Sequence, residues 1–283
     1  MAKDQNTAAT TKEKVWFITG CSRGFGKIWT EAALERGDKV VATARNVSAL
    51  NPLKEKYGQQ VLTLPLDVTR PDQVTAAVQS AIEYFGRLDI VVNNAGYALV
   101  GTIEESAPED IRALYETNVI GPVTVIQAVL PYLRKQKGGH ILGVSSGLGQ
   151  LAYPLIGYYC SSKWAFEAIH ESLATEVEPF GIQVTIIEPG AYATEFGSPN
   201  SLKLTGTLTT YDPLREQVME QLKAMESGDP AATPQAIFKV VDAPQPPLRL
   251  NLGKHNLPEV KEAYRKRIAT WEAWADVADS VQN

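Results

Sequence analysis

Val15-Trp16-Phe17-Ile18-Thr19-Gly20-Cys21-Ser22-Arg23-Gly24-Phe25-Gly26 passes from a β-branched and aromatic run straight into three glycines spaced Gly-x3-Gly-x-Gly, and a helical pattern opens at Gly24. Glycines let the backbone turn tightly and approach a pyrophosphate, and the following helix N-terminus offers unpaired N–H groups and a favourable dipole. A Gly-rich turn alone is more often structural. The strand–turn–helix setting favours a nucleotide cradle made by Gly20, Ser22, Arg23, Gly24, Phe25 and Gly26, although the spacing is not Gly-x-Gly-x-x-Gly.

Outward from this stretch, short apolar runs alternate with helix-length segments. Strands are expected at 15–19, 39–44, 61–66, 89–92, 139–144 and 183–187, with helices opening near Gly24, Val47, Pro71, Pro108 and Tyr159. Such alternation means βαβ units, hence an α/β fold with a doubly wound parallel sheet that binds ligands at its strands' carboxyl ends. Residues 1–13 read as a disordered polar lead and 14–283 as one domain. Within it, the stretch 191–226 opens with a Gly-, Ser- and Thr-rich loop and reads as a substrate lid; 227–283 supplies a last strand, 248–252, and a terminal helix, 258–281, with Trp271 and Trp274 partly buried.

The 283 residues carry a net charge of −5, which argues against nucleic acid or an anionic membrane as the main partner. No apolar run approaches the ~18–20 residues of a bilayer span. Cys21, Cys160, His140, His170 and His255 lack metal-ligand spacing, so no metal is expected, and the two thiols suit a reducing, cytoplasmic setting.

A carboxylate usually ends the second strand where a 2′-hydroxyl is bound. Here Ala44 is followed by Arg45 and Asn46, with Arg23 in the glycine turn. Two guanidinium groups and no carboxylate suit a 2′-phosphate, so NADP(H) is preferred over NAD(H); the alternative is two solvated surface charges. Asp67 and Val68 close the third strand, where the carboxylate suits an adenine amino group or a helix cap. Asn94, Ala95 and Gly96 close the fourth, where small residues admit a base or ribose and Asn equally stabilises a turn.

Tyr159 and Lys163 stand four apart on one helix face. An ammonium beside a phenol lowers its pKa from ~10 and suits it to proton transfer, but such pairs are also ordinary surface neighbours.

Together, TGCSRGFG at 19–26, LDV at 66–68, NNAG at 93–96, Asn118 in ETNVIGP, Ser146 in GVSSG, Tyr159-x-x-x-Lys163 and PGAYAT at 189–194 resemble the short-chain dehydrogenase/reductase family. The resemblance is strong over 14–195 and loose beyond. It implies a hydride-transferring oxidoreductase acting between a nicotinamide and a ketone or secondary alcohol. The family's serine lies thirteen residues before its tyrosine, which selects Ser146 over Ser145, and the tyrosine four before lysine is Tyr159, not Tyr158. Ser146 and Tyr159 would hold the substrate oxygen and Tyr159 would supply the proton. Lys163 would tune the tyrosine and hold the ribose, Asn118 would anchor a relay water, and Pro189, Gly190, Tyr192 and Thr194 would flank the nicotinamide.

Tyr192 departs from the aliphatic residue common there, and Cys21 near a helix N-terminus has a chance of a lowered pKa, against the blander reading of packing thiols for it and for Cys160. Leu148, Leu151, Tyr153, Leu155, Tyr192 and Phe196 are expected to wall the pocket beside Ser146, which suits an uncharged, apolar ketone; the even alternative for each is packing under its loop. The sequence is also similar to bacterial members near hydroxysteroid and retinol dehydrogenases. The family habit of pairing the helices of Asn118 and Tyr159, with Trp164, Phe166, Ile169 and Leu173 on several faces, implies a homodimer or homotetramer. The alternatives are an epimerase, dehydratase or enoyl reductase on the same scaffold, or a non-catalytic NADP(H)-binding sensor.

Overall fold

The computed structural model describes residues 13–198, 201–254 and 256–281. The polar lead, apart from Glu13, and His255 lie outside the described residues. The strands are β1 (Val15–Ile18), β2 (Lys39–Ala44), β3 (Val61–Pro65), β4 (Ile90–Asn93), β5 (Ala98–Val100), β6 (Gly139–Val144), β7 (Ile182–Pro189), β8 (Leu202–Leu204) and β9 (Arg249–Leu252). Seven pair in parallel in the order β3-β2-β1-β4-β6-β7-β9, the doubly wound Rossmann arrangement. The helices are α1 (Gly24–Glu35), α2 (Asn51–Tyr57), α3 (Pro71–Phe85), α4 (Pro108–Tyr115), α5 (Gly121–Gln136), α6 (Gly157–Val177), α7 (Asp212–Ala224), α8 (Thr233–Asp242), α9 (Asn256–Ala273) and α10 (Ala275–Asp279).

A parallel sheet is covered on both faces, so its strands are apolar throughout instead of alternating. β1 shows the consequence: Trp16 and Ile18 pack with Trp29 and Ala33 of α1 and Ile237 and Val240 of α8. Val15 and Phe17 pack on the other face with Val74 and Val78 of α3 and Val125 and Val129 of α5. The chain builds from β1 toward β3 at one edge, then returns to β4 and continues to β9 at the other. The carboxyl ends of β1 and β4 therefore send their loops apart, and the crevice between them is where such sheets bind ligands.

β2 and β6 match their expected limits residue for residue, and the other sheet strands differ by a residue or two at an end. The sequence reading missed β5 and β8, which pair in parallel as a separate ribbon. Three residues each are too few to display a period. The stretch expected as an irregular loop leading a lid contains β8 and the start of α7. Trp271 and Trp274, expected to be partly buried, are each 64% exposed. Beyond Arg267 every described residue of the terminal helices is exposed, because α9 has run past the body of the molecule.

α4, a π-helical turn at Glu116–Ile120 and α5 form one continuous helix, Pro108–Gln136. Against the expectation that no apolar run reaches spanning length, its length and an 18-residue window of mean hydropathy 1.2 would suffice by composition alone. In the fold that apolarity packs Val125, Ile126, Val129 and Leu133 into the core.

Burial holds His140 and His170 neutral, each at about pKa 4 against the usual 6.5. Below the usual value the unfolded chain takes up protons that the folded chain refuses, so stability falls as pH drops through this window and levels off below about 4. Each histidine accounts for up to about 3 kcal/mol of that loss. Urea midpoints measured at about pH 7 and about pH 4.5 should differ less in His170→Gln than in the parent protein.

Candidate active site

The glycine turn leaves β1 with Gly20 at φ +74° and Gly24 at φ +56°, conformations that a side chain resists. Gly26 is required for space: a Cβ there would run into the Gly20 carbonyl and lie 2.5 Å from Asn94 Nδ2. Asn94 Nδ2 donates to the carbonyls of Thr19 at 2.8 Å and Gly20 at 3.1 Å. Thr19 Oγ1 accepts from the backbone N–H groups of Asn94 and Ala95, both at 3.0 Å. The ends of β1 and β4 are thus tied together, and the sequence reading had not singled out Thr19. α1 starts without a side-chain cap and without an acid in its first turn, so its N–H groups and positive dipole end face the turn. This cradle fits the pyrophosphate of a dinucleotide.

Around it, Arg45 and Asn46 are exposed at the end of β2, and Asn46 Oδ1 accepts from Ser48 N at 3.2 Å. Arg23 Nε donates to Ser201 Oγ at 2.9 Å, joining the turn to the segment before β8. Asp67 Oδ1 accepts from the N–H and hydroxyl of Thr69 at 3.0 and 2.8 Å, so it closes its own turn while Arg70 occupies the N-cap of α3. Val68 is buried beneath Gly121.

The π-helical turn directs Asn118 inward, where its side chain is 1% exposed. Such bulges add a residue to a helix and mark sites where one side chain is re-aimed. Asn118 Oδ1 accepts from Tyr97 N at 3.1 Å, and its Nδ2 donates to Tyr97 O at 2.9 Å and Ser162 Oγ at 3.1 Å. A Cβ at Gly96 would stand 3.2 Å from Asn118 Oδ1 and 3.8 Å from Lys163 Nζ. Bare backbone there leaves room beside both groups.

The two adjacent serines part company. Ser145 Oγ turns inward and donates to Glu167 Oε1 at 2.6 Å, whereas Ser146 Oγ accepts from Leu148 N at 3.1 Å and lies on the side of Tyr159, whose ionisation it favours. The tyrosines part in the same way: Tyr158 donates to Ile103 O at 3.2 Å, whereas Tyr159 is buried. Lys163 Nζ lies 5.8 Å from the Tyr159 ring centroid and donates to Val144 O at 2.8 Å. Burial pulls Lys163 down to about 8 against the pull of Glu167. The expected lowering of the phenol by the lysine is not what the protein's own groups produce. Burial pushes Tyr159 above its ordinary value, and the Ser146 side chain opposes it only in part.

Of the expected apolar wall, Phe196 stands against Tyr159 with ring centroids 5.8 Å apart, and Thr194 Oγ1 accepts from Phe196 N at 3.3 Å. Leu151 and Leu155 are buried and Leu148 is half-buried. Leu155 sits at φ +64°, with its carbonyl accepting from Gly101 N at 2.6 Å. Two residues are directed elsewhere. Tyr153 donates to Glu259 of α9 at 3.1 Å, and Tyr192 packs edge-on against Phe25 at 5.3 Å, closing over Gly228 and Gly253. Pro189 ends β7, and Gly190 N donates to Leu252 O at 2.9 Å.

Both thiols are buried. Burial pushes Cys21 up to about 11 despite the nearby helix N-terminus, and it also raises Cys160. Neither behaves as an activated nucleophile. Two buried acids also went unnoticed, Glu167 and Glu188. Glu167 had a signal, standing one helical turn after Lys163; Glu188 had another, a lone carboxylate in the apolar run Val-Thr-Ile-Ile-Glu.

The family model of the short chain dehydrogenases matches residues 14–204. The chain belongs to that family. Among curated relatives, Oxidoreductase BOA17 of Botryotinia fuckeliana is 39% identical over 94% of this chain and 98% of its own. A 3-ketodihydrosphingosine reductase of Bacteroides thetaiotaomicron is 36% identical over 85% of this chain and 88% of its own. A short-chain dehydrogenase from Streptomyces avermitilis superposes with TM-score 0.88 at 34% identity, covering 96% of this chain and 99% of that one. One from Burkholderia cenocepacia, solved in complex with NADP, gives TM-score 0.74 at 25% identity, covering 92% and 97%. The protein is therefore an oxidoreductase of the short chain dehydrogenase family.

Proposed function

We propose that the protein is an NADP(H)-dependent reductase of apolar ketones, working in reverse on secondary alcohols, with Tyr159 as general acid and base. The observation that carries this reading is the buried Tyr159, faced by Ser146 and with Lys163 Nζ 5.8 Å from its ring centroid, at the carboxyl end of the same sheet that forms the glycine cradle. Gly20, Ser22, Gly24 and Gly26 would hold the pyrophosphate, Asn94 and Gly96 the adjoining ribose, and Pro189, Gly190 and Thr194 the nicotinamide side. When bound, the reduced nicotinamide supplies a hydride.

Ser146 and Tyr159 donate hydrogen bonds to the substrate oxygen, and Tyr159 gives up its proton as charge develops there. The buried phenol suits the acid role, since it stays protonated until an acceptor arrives. Lys163 offers a cation one turn below for the phenolate that follows. Asn118, held by Tyr97 and Ser162, fixes the carbonyl of Tyr97 and would order a relay water beside Lys163. Phe196 closes an apolar lid over Tyr159, which supports an uncharged substrate. The similarity to a 3-ketodihydrosphingosine reductase supports a keto group as the point of attack.

Arg45 and Arg23, with no carboxylate at the end of β2, support the 2′-phosphate, as does the relative solved with NADP. Assembly as a homodimer or homotetramer through the flanks of α5 and α6, and a reducing, cytoplasmic setting for the two free thiols, belong to the same proposal. The test is oxidation of NADPH and NADH against a panel of ketones, aldehydes and steroids. NADPH should be preferred, and Arg45→Ala should erode that preference by about tenfold or more in kcat/KM. Better kcat/KM with NADH, or activity confined to charged substrates, would overturn the proposal.

A further inference from the structure

We propose that Glu167 and Glu188 share one proton and act as positioning residues, holding the Ser145–Gln150 turn and with it the Ser146 hydroxyl against Tyr159. The inference rests on the catalytic reading of Ser146 and Tyr159 given above. Glu188 is 0% exposed and Glu167 3%, and both carboxyls meet at one guanidinium nitrogen, Arg249 Nε lying 3.3 Å from Glu188 Oε1 and 3.5 Å from Glu167 Oε2. Two buried carboxyl groups beside a single guanidinium nitrogen repel each other as anions, and burial raises both, so one carries the proton.

The pair grips the serine turn from both ends. Glu167 Oε1 accepts from Ser145 Oγ at 2.6 Å, and Glu188 Oε1 accepts from Gln150 Nε2. The glycines between leave no slack: a Cβ on Gly149 would overlap Glu167, and one on Gly147 would overlap Asn256. Asn256 is fixed in turn, donating to Glu188 O at 3.0 Å, and Arg267 of α9 donates to Gln150 O at 3.0 Å. Ser146 therefore sits on a short turn whose two ends, Ser145 and Gln150, are held by one buried acid pair.

The charges facing the pair come from three elements. From α6 come Lys163 one turn before Glu167, the neutral His170, and Glu171. From β9, Arg249 lies 3.5 Å from Glu167, 3.3 Å from Glu188 and 2.7 Å from Glu171. From α9, Arg267 reaches the turn's backbone. Lys163 and Arg249 favour charge on the carboxyls, while burial and mutual repulsion favour the proton. Burial pushes Glu188 up to about 7, so the shared proton is held below neutrality and lost as pH rises through it. Two buried anions then repel, the turn loosens, and kcat declines on the alkaline side.

Glu188→Gln keeps the shape and removes the proton. The introduced amide N–H donates to Glu167, and a turn of the Asn251 amide brings its buried, donor-less Oδ1 to the other N–H. The purified enzyme should show an infrared C=O stretch of a protonated carboxylic acid at about pH 6, absent from Glu188→Gln. The alkaline limb of kcat in that variant should move, with NADPH affinity retained. Glu167→Ala should lose about tenfold or more in kcat with little change in NADPH affinity. An absent band, a band that survives Glu188→Gln, or superimposable pH profiles would overturn the pairing, even if Glu167→Ala fails to fold. Run beside them, Tyr159→Phe separates the two claims: normal turnover in it removes the catalytic reading, whereas its loss with unaltered Glu188→Gln profiles removes only the positioning pair.

Discussion

Tyr159→Phe is expected to lower kcat about a thousandfold while NADPH affinity changes by less than about threefold. The substitution deletes one oxygen from a buried ring that keeps its packing against Phe196, so the fold has no reason to respond. What disappears is the donor to the substrate oxygen and the proton that must follow the hydride. Ser146 remains, which is why residual turnover should exceed the uncatalysed rate. Because burial holds the phenol high, the parent enzyme should keep its acid form well into the alkaline range, with activity in reduction limited there by other groups, Lys163 at about 8 among them. Stopped-flow NADPH oxidation and fluorescence titration of NADPH separate chemistry from binding, and near-normal turnover in the variant would remove Tyr159 from the mechanism.

Gly26→Ala is expected to weaken NADPH binding by about a hundredfold and to destabilise the protein by about 2–3 kcal/mol, lowering Tm by roughly 5–10 °C. The new methyl would meet the Gly20 carbonyl and Asn94 Nδ2, and neither can retreat. The carbonyl is backbone in the turn, and Asn94 is committed to Thr19 and Gly20. The turn must open, and with it the cradle. Gly24→Ala is the control. It has open space but a positive φ of 56°, so it should cost about 1 kcal/mol in stability with a smaller effect on binding. Calorimetry with NADPH titration checks both; equal effects from the two substitutions would argue against a steric role for Gly26.

Much of this was legible in the residues. The parallel sheet followed from strand runs apolar on both faces, and Val-Trp-Phe-Ile could serve no other kind of strand so well. Tyr159 and Lys163 were singled out by helical spacing and Ser146 over Ser145 by family spacing; in the fold the two serines have separate partners, Glu167 for Ser145 and Leu148 N for Ser146. The β5–β8 ribbon was illegible because a three-residue strand has no period, and its partner lies about a hundred residues away along the chain. Tyr153 and Tyr192 looked like pocket residues because a loop aromatic carries no sign of which way it faces.

The chain's own order of residues determined the fold class, the glycine turn and the identity of the tyrosine–lysine pair, because those depend on local spacing and on periods that repeat along the backbone. Only the tertiary structure decided the ionisation of that pair. Whether an ammonium lowers a phenol or burial raises it depends on solvent exclusion by Phe196 and the sheet, and on where Lys163 spends its hydrogen bonds, none of which is a property of spacing. The same exclusion brought Glu167 and Glu188, twenty-one positions apart, into one buried contact behind the serine.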